Sequence, residues 1–170
     1  MPTEKPDAFS RRYWIPKYIL LFLLIFSVLY YLFVTNFDSL LPYFALLTHA
    51  VYAVMSVFYQ GFSWEGNILR HPGFAFEITR GCDGLTSLIL LVAAIIPFPV
   101  SIGRKILGLA IGIPVILGFN YLRILILALT KLNFPDSFQT MHVQILQPAM
   151  VIVTFAVFVA WLLIYVRQPK

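Results

Sequence analysis

The run "ILGLAIGIPVILGFNYLRILILAL", residues 106–129, contains a single charged residue, Arg123. About 20 apolar residues suffice to cross the hydrocarbon core as a helix, so the stretch reads as a transmembrane span. A guanidinium inside such a span is costly, about 2.5–3.5 kcal/mol on insertion scales. Snorkelling is one relief, since Arg123 lies roughly 9 Å from the nearer end of the run at about 1.5 Å per residue. The helical wheel favours another. Arg123 follows Gly112 by close to three whole turns, and Gly108 with Gly112 forms the small-residue pair that lets helices approach closely. Asn120 shares that face. Arg123 is therefore expected to point into a helix bundle, with a partner or a function to hold it there.

The rest of the chain supplies the bundle. Its 170 residues are 61% hydrophobic and 11% charged, with a mean hydropathy of +0.89, against roughly 45–50% and about 25% in soluble domains. This describes an all-α polytopic membrane protein, one membrane domain over residues 1–170 with four or five transmembrane helices and no separate soluble domain. Spans are read at 17–35, 84–100, 106–129 and 143–166. The first apolar run has no small-residue cleavage site after it, so it is expected to stay as an anchor. Residues 40–58 read as an interfacial or spanning helix: Thr48, His49, Tyr52, Ser56 and Tyr59 form a polar stripe opposite Leu47, Val51, Val54 and Phe58.

The net charge of +5 is scattered in short loops and forms no basic face, which excludes a nucleic-acid partner and leaves it to orient the chain among membrane lipids. Arg104 and Lys105 fill a very short loop, and Arg167 and Lys170 abut the last span. With residues 40–58 not crossing, these and Lys5, Arg11, Arg12 and Lys17 mark the inner side; a crossing run changes the count little, and the placement of the charges in the short loop and beside the last span puts residues 59–83 and 130–142 outside the cytoplasmic membrane. Within 59–81, Glu65-Gly66-Asn67 and His71-Pro72-Gly73 are turn signals, and Phe74, Phe76 and Ile78 alternate with Ala75, Glu77 and Thr79. That pattern predicts a short extracytoplasmic β-hairpin.

Polar features stand at the outer ends of successive apolar helices. Arg80-Gly81-Cys82-Asp83-Gly84 holds the chain's only cysteine, which excludes an intramolecular disulfide. A thiol at a helix N-terminus beside Arg80 is expected to ionise readily, with Asp83 opposing this or capping the helix. The alternative is an inert packing residue. Asn120 and Arg123 form the second feature. The third is His142, about one turn into the last helix and able to exchange protons near neutral pH, with His49 and His71 as rivals. No pair of histidines or cysteine has metal-ligand spacing, so neither a metal nor another cofactor is expected. A thiol, a guanidinium and an imidazole facing one compartment offer a nucleophile, an electrophilic stabiliser and an acid/base.

Cys82-x-Gly84-Leu85 at the head of an apolar helix, Asn120-x-x-Arg123 in the next and His142 at the head of the one after resemble the exosortase/archaeosortase family. The length is similar to that of compact bacterial exosortase types. The family's common Ala-Cys-Ser-Gly is replaced here by Gly81-Cys82-Asp83-Gly84. The resemblance implies a membrane cysteine protease/transpeptidase that cleaves a C-terminal protein-sorting signal through a Cys thioester at the outer face of the cytoplasmic membrane. Its partners would be membrane-anchored substrate proteins. Cys82 would be the nucleophile, with Arg123 and His142 completing the catalytic set and Asn120, Asp83 and Arg80 supporting it. The predicted hairpin would then be a docking edge for the extended sorting motif. The alternatives are a purely hydrolytic membrane thiol protease and a non-catalytic helical subunit in which Arg123 pairs with Asp83 or Glu77.

Overall fold

A computed structural model describes residues 8–166. Lys5, Arg167 and Lys170, counted above among the inner charges, lie outside the described residues. Helix α1 (Ala8–Thr35) leads through a 3-10 turn, Phe37–Leu40, into α2 (Leu41–Phe58). A small sheet of β1 (Ser63–Glu65), β2 (Ile68–His71) and β3 (Phe74–Glu77) follows. Then come α3 (Leu85–Ile95), α4 (Ile102–Asn133) and α5 (Gln147–Trp161), the last preceded by a π-helical stretch, Thr140–Leu146.

Among the described residues, four helical stretches are long and apolar enough to cross a membrane: Trp14–Thr35, Phe37–Phe58, Ile102–Asn133 and Thr140–Ile164. The 40–58 run therefore belongs to a helix of spanning length. Its polar stripe does not hold together as one face. Thr48 is buried with Phe44, Val51 and Met55, and its hydroxyl donates back to the Phe44 carbonyl at 2.8 Å, whereas Ser56 is exposed. The 84–100 run departs from expectation in the other direction. Only eleven of its residues form α3, about 16 Å at 1.5 Å per residue, half of the hydrocarbon thickness. Ile96 still holds helical backbone and donates to the Val92 carbonyl, but Pro97 and Pro99 beyond it have no N–H with which to continue the ladder, and the helix stops there.

Both turn signals in 59–81 are used, so the expected hairpin is a three-stranded antiparallel meander in the order β1-β2-β3. Leu69 pairs with Phe76 across β2 and β3, and Leu69, Phe76 and Ile78 sink into a core with Phe44, Val51, Met55, Ile124 and Leu127 from α2 and α4. The sheet thus plugs one end of the helix bundle. A second core lies deeper, around Leu91, Ile95, Ile116, Met150 and Trp161. Here the small-residue face of α4 is filled as expected. A Cβ on Gly108 would stand 2.5 Å from the Trp161 ring, and one on Gly112 2.6 Å from Leu91. Leu20, Leu24, Leu46, Val57 and Ile152 remain exposed on the bundle's flanks, the surface a bilayer would cover.

Candidate functional site

The segment 79–84 joins β3 to α3 at the sheet end of the bundle, and its backbone is fixed from several directions. The Cys82 N–H donates to the Thr79 carbonyl at 3.0 Å, closing a tight turn in which Gly81 adopts left-handed backbone (φ +88°), and Gly84, at the head of α3, does the same (φ +71°). The Asp83 carboxylate, fully buried, accepts from the N–H groups of Gly81 (2.9 Å), Leu85 (2.6 Å) and Thr86 (3.4 Å). Asp83 therefore caps the first turn of α3, one of the two roles expected of it.

Three successive carbonyls of this segment are each held by a side chain from a long helix. Arg123 Nη1 donates to the Gly81 oxygen at 2.6 Å and Asn120 Nδ2 to the Cys82 oxygen at 3.0 Å, both from α4. The Tyr43 hydroxyl donates to the Asp83 oxygen at 2.7 Å from α2. With its main chain pinned in this way, Cys82 turns its Sγ to within 3.2 Å of His142 Nε2. His142 stands in the π-helical stretch, where the Gln147 N–H reaches back five residues to the His142 carbonyl. Pro148, with no N–H to give, follows at once, and the widened turn absorbs the missing bond.

Arg123 is 2% exposed, and its Nε and Nη2 are buried with no protein acceptor. It also lines a cavity of about 100 Å³ beneath the cysteine turn, shared with Thr86, Ser87 and Gln147. Neither Asp83 nor Glu77 pairs with it: Asp83 is taken up by backbone N–H groups, and Glu77 accepts from Asn67 Nδ2 at 3.1 Å. Among the described residues the one ion pair joins Arg70 to Glu65. A structural lock between Arg123 and a carboxylate is thus not the arrangement found.

Burial pushes the Cys82 thiol up from its ordinary value, the Arg123 charge pulls it back down, and the Asp83 carboxylate pushes it up again, with a net rise. This corrects the expectation of a ready thiolate. The α3 N–H groups are occupied by Asp83, and Arg80 lies with its guanidinium 4.6 Å over the Phe37 ring. The surroundings thus oppose ionisation of the sulfur, which is left with the imidazole of His142 in contact.

Cys82, Asp83, Asn120, Arg123 and His142 therefore converge, while Arg80 turns away. The rival histidines sit elsewhere, His49 against Trp64 at 4.8 Å and His71 against Phe62 at 4.9 Å. Tyr43 and Gln147 escaped the sequence reading. Tyr43 is one of nine tyrosines and lies outside the stripe noted on α2. Gln147 carried no signal either, since five residues after His142 falls off the shared face of an ordinary helix and only the widened turn links the two.

Residues 6–164 match the sequence profile of the transmembrane exosortase family. No curated protein and no solved structure matches the chain. A profile that spans nearly the whole chain agrees with the polytopic fold, and so this chain belongs to the transmembrane exosortase family.

Proposed function

We propose that this exosortase is a membrane cysteine protease/transpeptidase acting on a C-terminal sorting signal, with Cys82 as its nucleophile. The observation that carries the reading is the 3.2 Å approach of Cys82 Sγ to His142 Nε2 at the sheet end of the bundle. His142 Nε2 takes the thiol proton, and the thiolate attacks the scissile carbonyl carbon. The tetrahedral adduct collapses as the C–N bond breaks, and the leaving amine takes the proton back from His142. A thioester on Cys82 remains. An acceptor amine resolves it by transfer and water by hydrolysis, with His142 again accepting the proton of the incoming group.

Arg123 supports this chemistry through its charge, which favours the thiolate, and through the N–H groups it keeps free for a developing oxyanion. Asn120 and Tyr43 position the cysteine through its neighbouring carbonyls. Asp83 fixes the turn. The substrate is membrane-anchored, and the site opens on the extracytoplasmic side of the cytoplasmic membrane, as Arg104 and Lys105 favour, which stand not in a loop but in the first turn of α4, at the far end of that helix from the site.

The test follows a tagged protein of the same genome whose C-terminus combines a short motif, an apolar helix and a basic cluster. Wild-type enzyme is expected to process this reporter, and Cys82→Ala, His142→Ala and Arg123→Ala to leave it intact at unchanged enzyme abundance. Processing by Cys82→Ala would overturn the reading. Mass spectrometry of the new C-terminus separates transfer from hydrolysis, because only transfer leaves an acceptor attached.

A further inference from the structure

β3 lies at an edge of the sheet, and the register fixes which of its backbone groups are free. The Ile78 N–H donates to the Asn67 carbonyl at 2.8 Å, so Asn67 and Ile78 form a hydrogen-bonded pair. Alternation along an antiparallel ladder makes Leu69–Phe76 and His71–Phe74 the next such pairs. The N–H and C=O groups of Ala75 and Glu77 then point away from β2, and both residues are exposed. Five residues beyond Glu77 the same chain reaches Cys82.

A cleft of about 310 Å³ opens beside the start of this edge, between His71, Gly73 and Phe74 on one wall and Lys131, Leu132 and Pro135 on the other. The Lys131 ammonium lies 5.0 Å over the Phe138 ring and has no carboxylate partner among the described residues. His71 Nδ1 is buried with no hydrogen-bond partner. Phe138 packs edge-on against Phe76 at 5.6 Å and lies tilted against His142 at 5.8 Å. The cleft is thus one aromatic ring away from the Cys82–His142 pair. The acidic groups nearby are engaged elsewhere, Glu77 with Asn67 and Glu65 with Arg70.

We infer that the β3 edge and this cleft form the docking site for an extended, acidic stretch of the substrate polypeptide. The peptide adds as a fourth strand, pairing its backbone with Ala75 and Glu77, and sets a carboxylate side chain against Lys131 and His71. The added strand delivers the peptide bond that follows it to Cys82. This inference rests on the proposed reaction, naming where its substrate is read.

The test measures binding of a synthetic peptide, the reporter segment just ahead of the apolar helix, to full-length Cys82→Ser protein in detergent micelles. Binding does not require the nucleophile, so a failure of docking stays separate from a failure of the catalytic reading, which shows in processing by Cys82→Ala. Ala75→Pro removes an N–H that β2 does not use and that an edge strand can spare. It is expected to weaken binding at least tenfold. N-methylation of the peptide one residue at a time, tested on protein with Ala75 in place, is expected to weaken binding at every second position. This arm does not depend on how the proline variant folds. Replacing the peptide's acidic residues by amides is expected to cost several-fold on Lys131 protein and nothing on Lys131→Gln. Binding that ignores both Ala75→Pro and N-methylation, or that does not distinguish acid from amide, would overturn the inference.

Discussion

Asn120 lies so close over Gly84 that a Cβ at position 84 would stand 2.9 Å from its Cγ. The glycine also holds a φ of +71°, a conformation that side chains resist. Gly84→Ala is accordingly expected to lose about 1–3 kcal/mol of stability and, because Asn120 must move off the Cys82 carbonyl, to lower processing further than the stability loss alone explains. Melting in detergent alongside reporter processing checks both; activity that simply tracks the folded fraction would refute the second part.

Asn120→Ala removes the donor to the Cys82 oxygen without the strain at Gly84. A buried carbonyl left unpaired costs about 1–3 kcal/mol. The protein is expected to accumulate normally while processing falls by roughly tenfold or more, the equivalent of about 1.4 kcal/mol. Quantitative blotting with a time course of product measures the pair of values.

The cysteine makes a pH prediction with a definite sign. Its pKa is raised in the folded protein above the ordinary 9.0, so the folded state holds this proton longer than the unfolded one. That contribution to stability is intact below the unfolded value and is lost as pH climbs through 9.0 toward the folded one. Wild-type protein is expected to lose melting temperature over this alkaline window more steeply than Cys82→Ser. Alkylation of Cys82 by a small thiol reagent is expected to speed up with pH, and Arg123→Gln to move that profile to higher pH by removing the charge that opposes the rise. Superimposable melting curves for wild type and Cys82→Ser would contradict the assignment.

Asp83→Asn tests the other charge. Removing the carboxylate takes away one cause of the raised thiol, so alkylation at a fixed pH is expected to become faster. The same change weakens the hydrogen bonds from Gly81, Leu85 and Thr86, at a stability cost of about 1–2 kcal/mol. A faster thiol in a less stable protein is the signature; slower alkylation would show that Asp83 acts on the cysteine only through geometry.

Away from the site, the Trp161 ring occupies the space over Gly108, and its Nε1 donates to the Arg104 carbonyl at 2.9 Å. Gly108→Ala forces these two helices apart, and overpacking of this kind costs about 1–3 kcal/mol. Abundance and melting temperature are expected to fall with no change in the alkylation profile of the Cys82 that remains folded.

Much of this arrangement could be read in the residues because charge inside an apolar chain is scarce. Arg123 had to face inward, and its helix-mates Gly108, Gly112 and Asn120 said toward which face. What escaped was the local backbone. An aspartate beside a cysteine reads equally well as a cap, an ion-pair partner or a source of repulsion. Only the positions of the Gly81, Leu85 and Thr86 N–H groups set the cap in place of the ion pair and withdraw the helix dipole from the thiol, while the repulsion persists beside the cap. The early end of α3 was written in Pro97 and Pro99 but masked by the apolar count of the run around them. The third strand had its turn signal too, yet one hairpin already satisfied the visible alternation. Tyr43 carried no signal, because its role depends on where the Asp83 carbonyl falls.

The pinning of the cysteine turn by Tyr43 from one long helix and by Asn120 and Arg123 from another has a consequence for the lipid around the protein. Long helices tilt to match the bilayer they sit in, and α4, with 32 residues or about 48 Å of helix, exceeds an average hydrocarbon core. Any change in the angle between α2 and α4 pulls on neighbouring carbonyls of one short turn and so re-aims the sulfur toward or away from the imidazole. Processing by the proposed reaction is then expected to vary with the acyl-chain length of the host membrane, a variable set outside the polypeptide altogether.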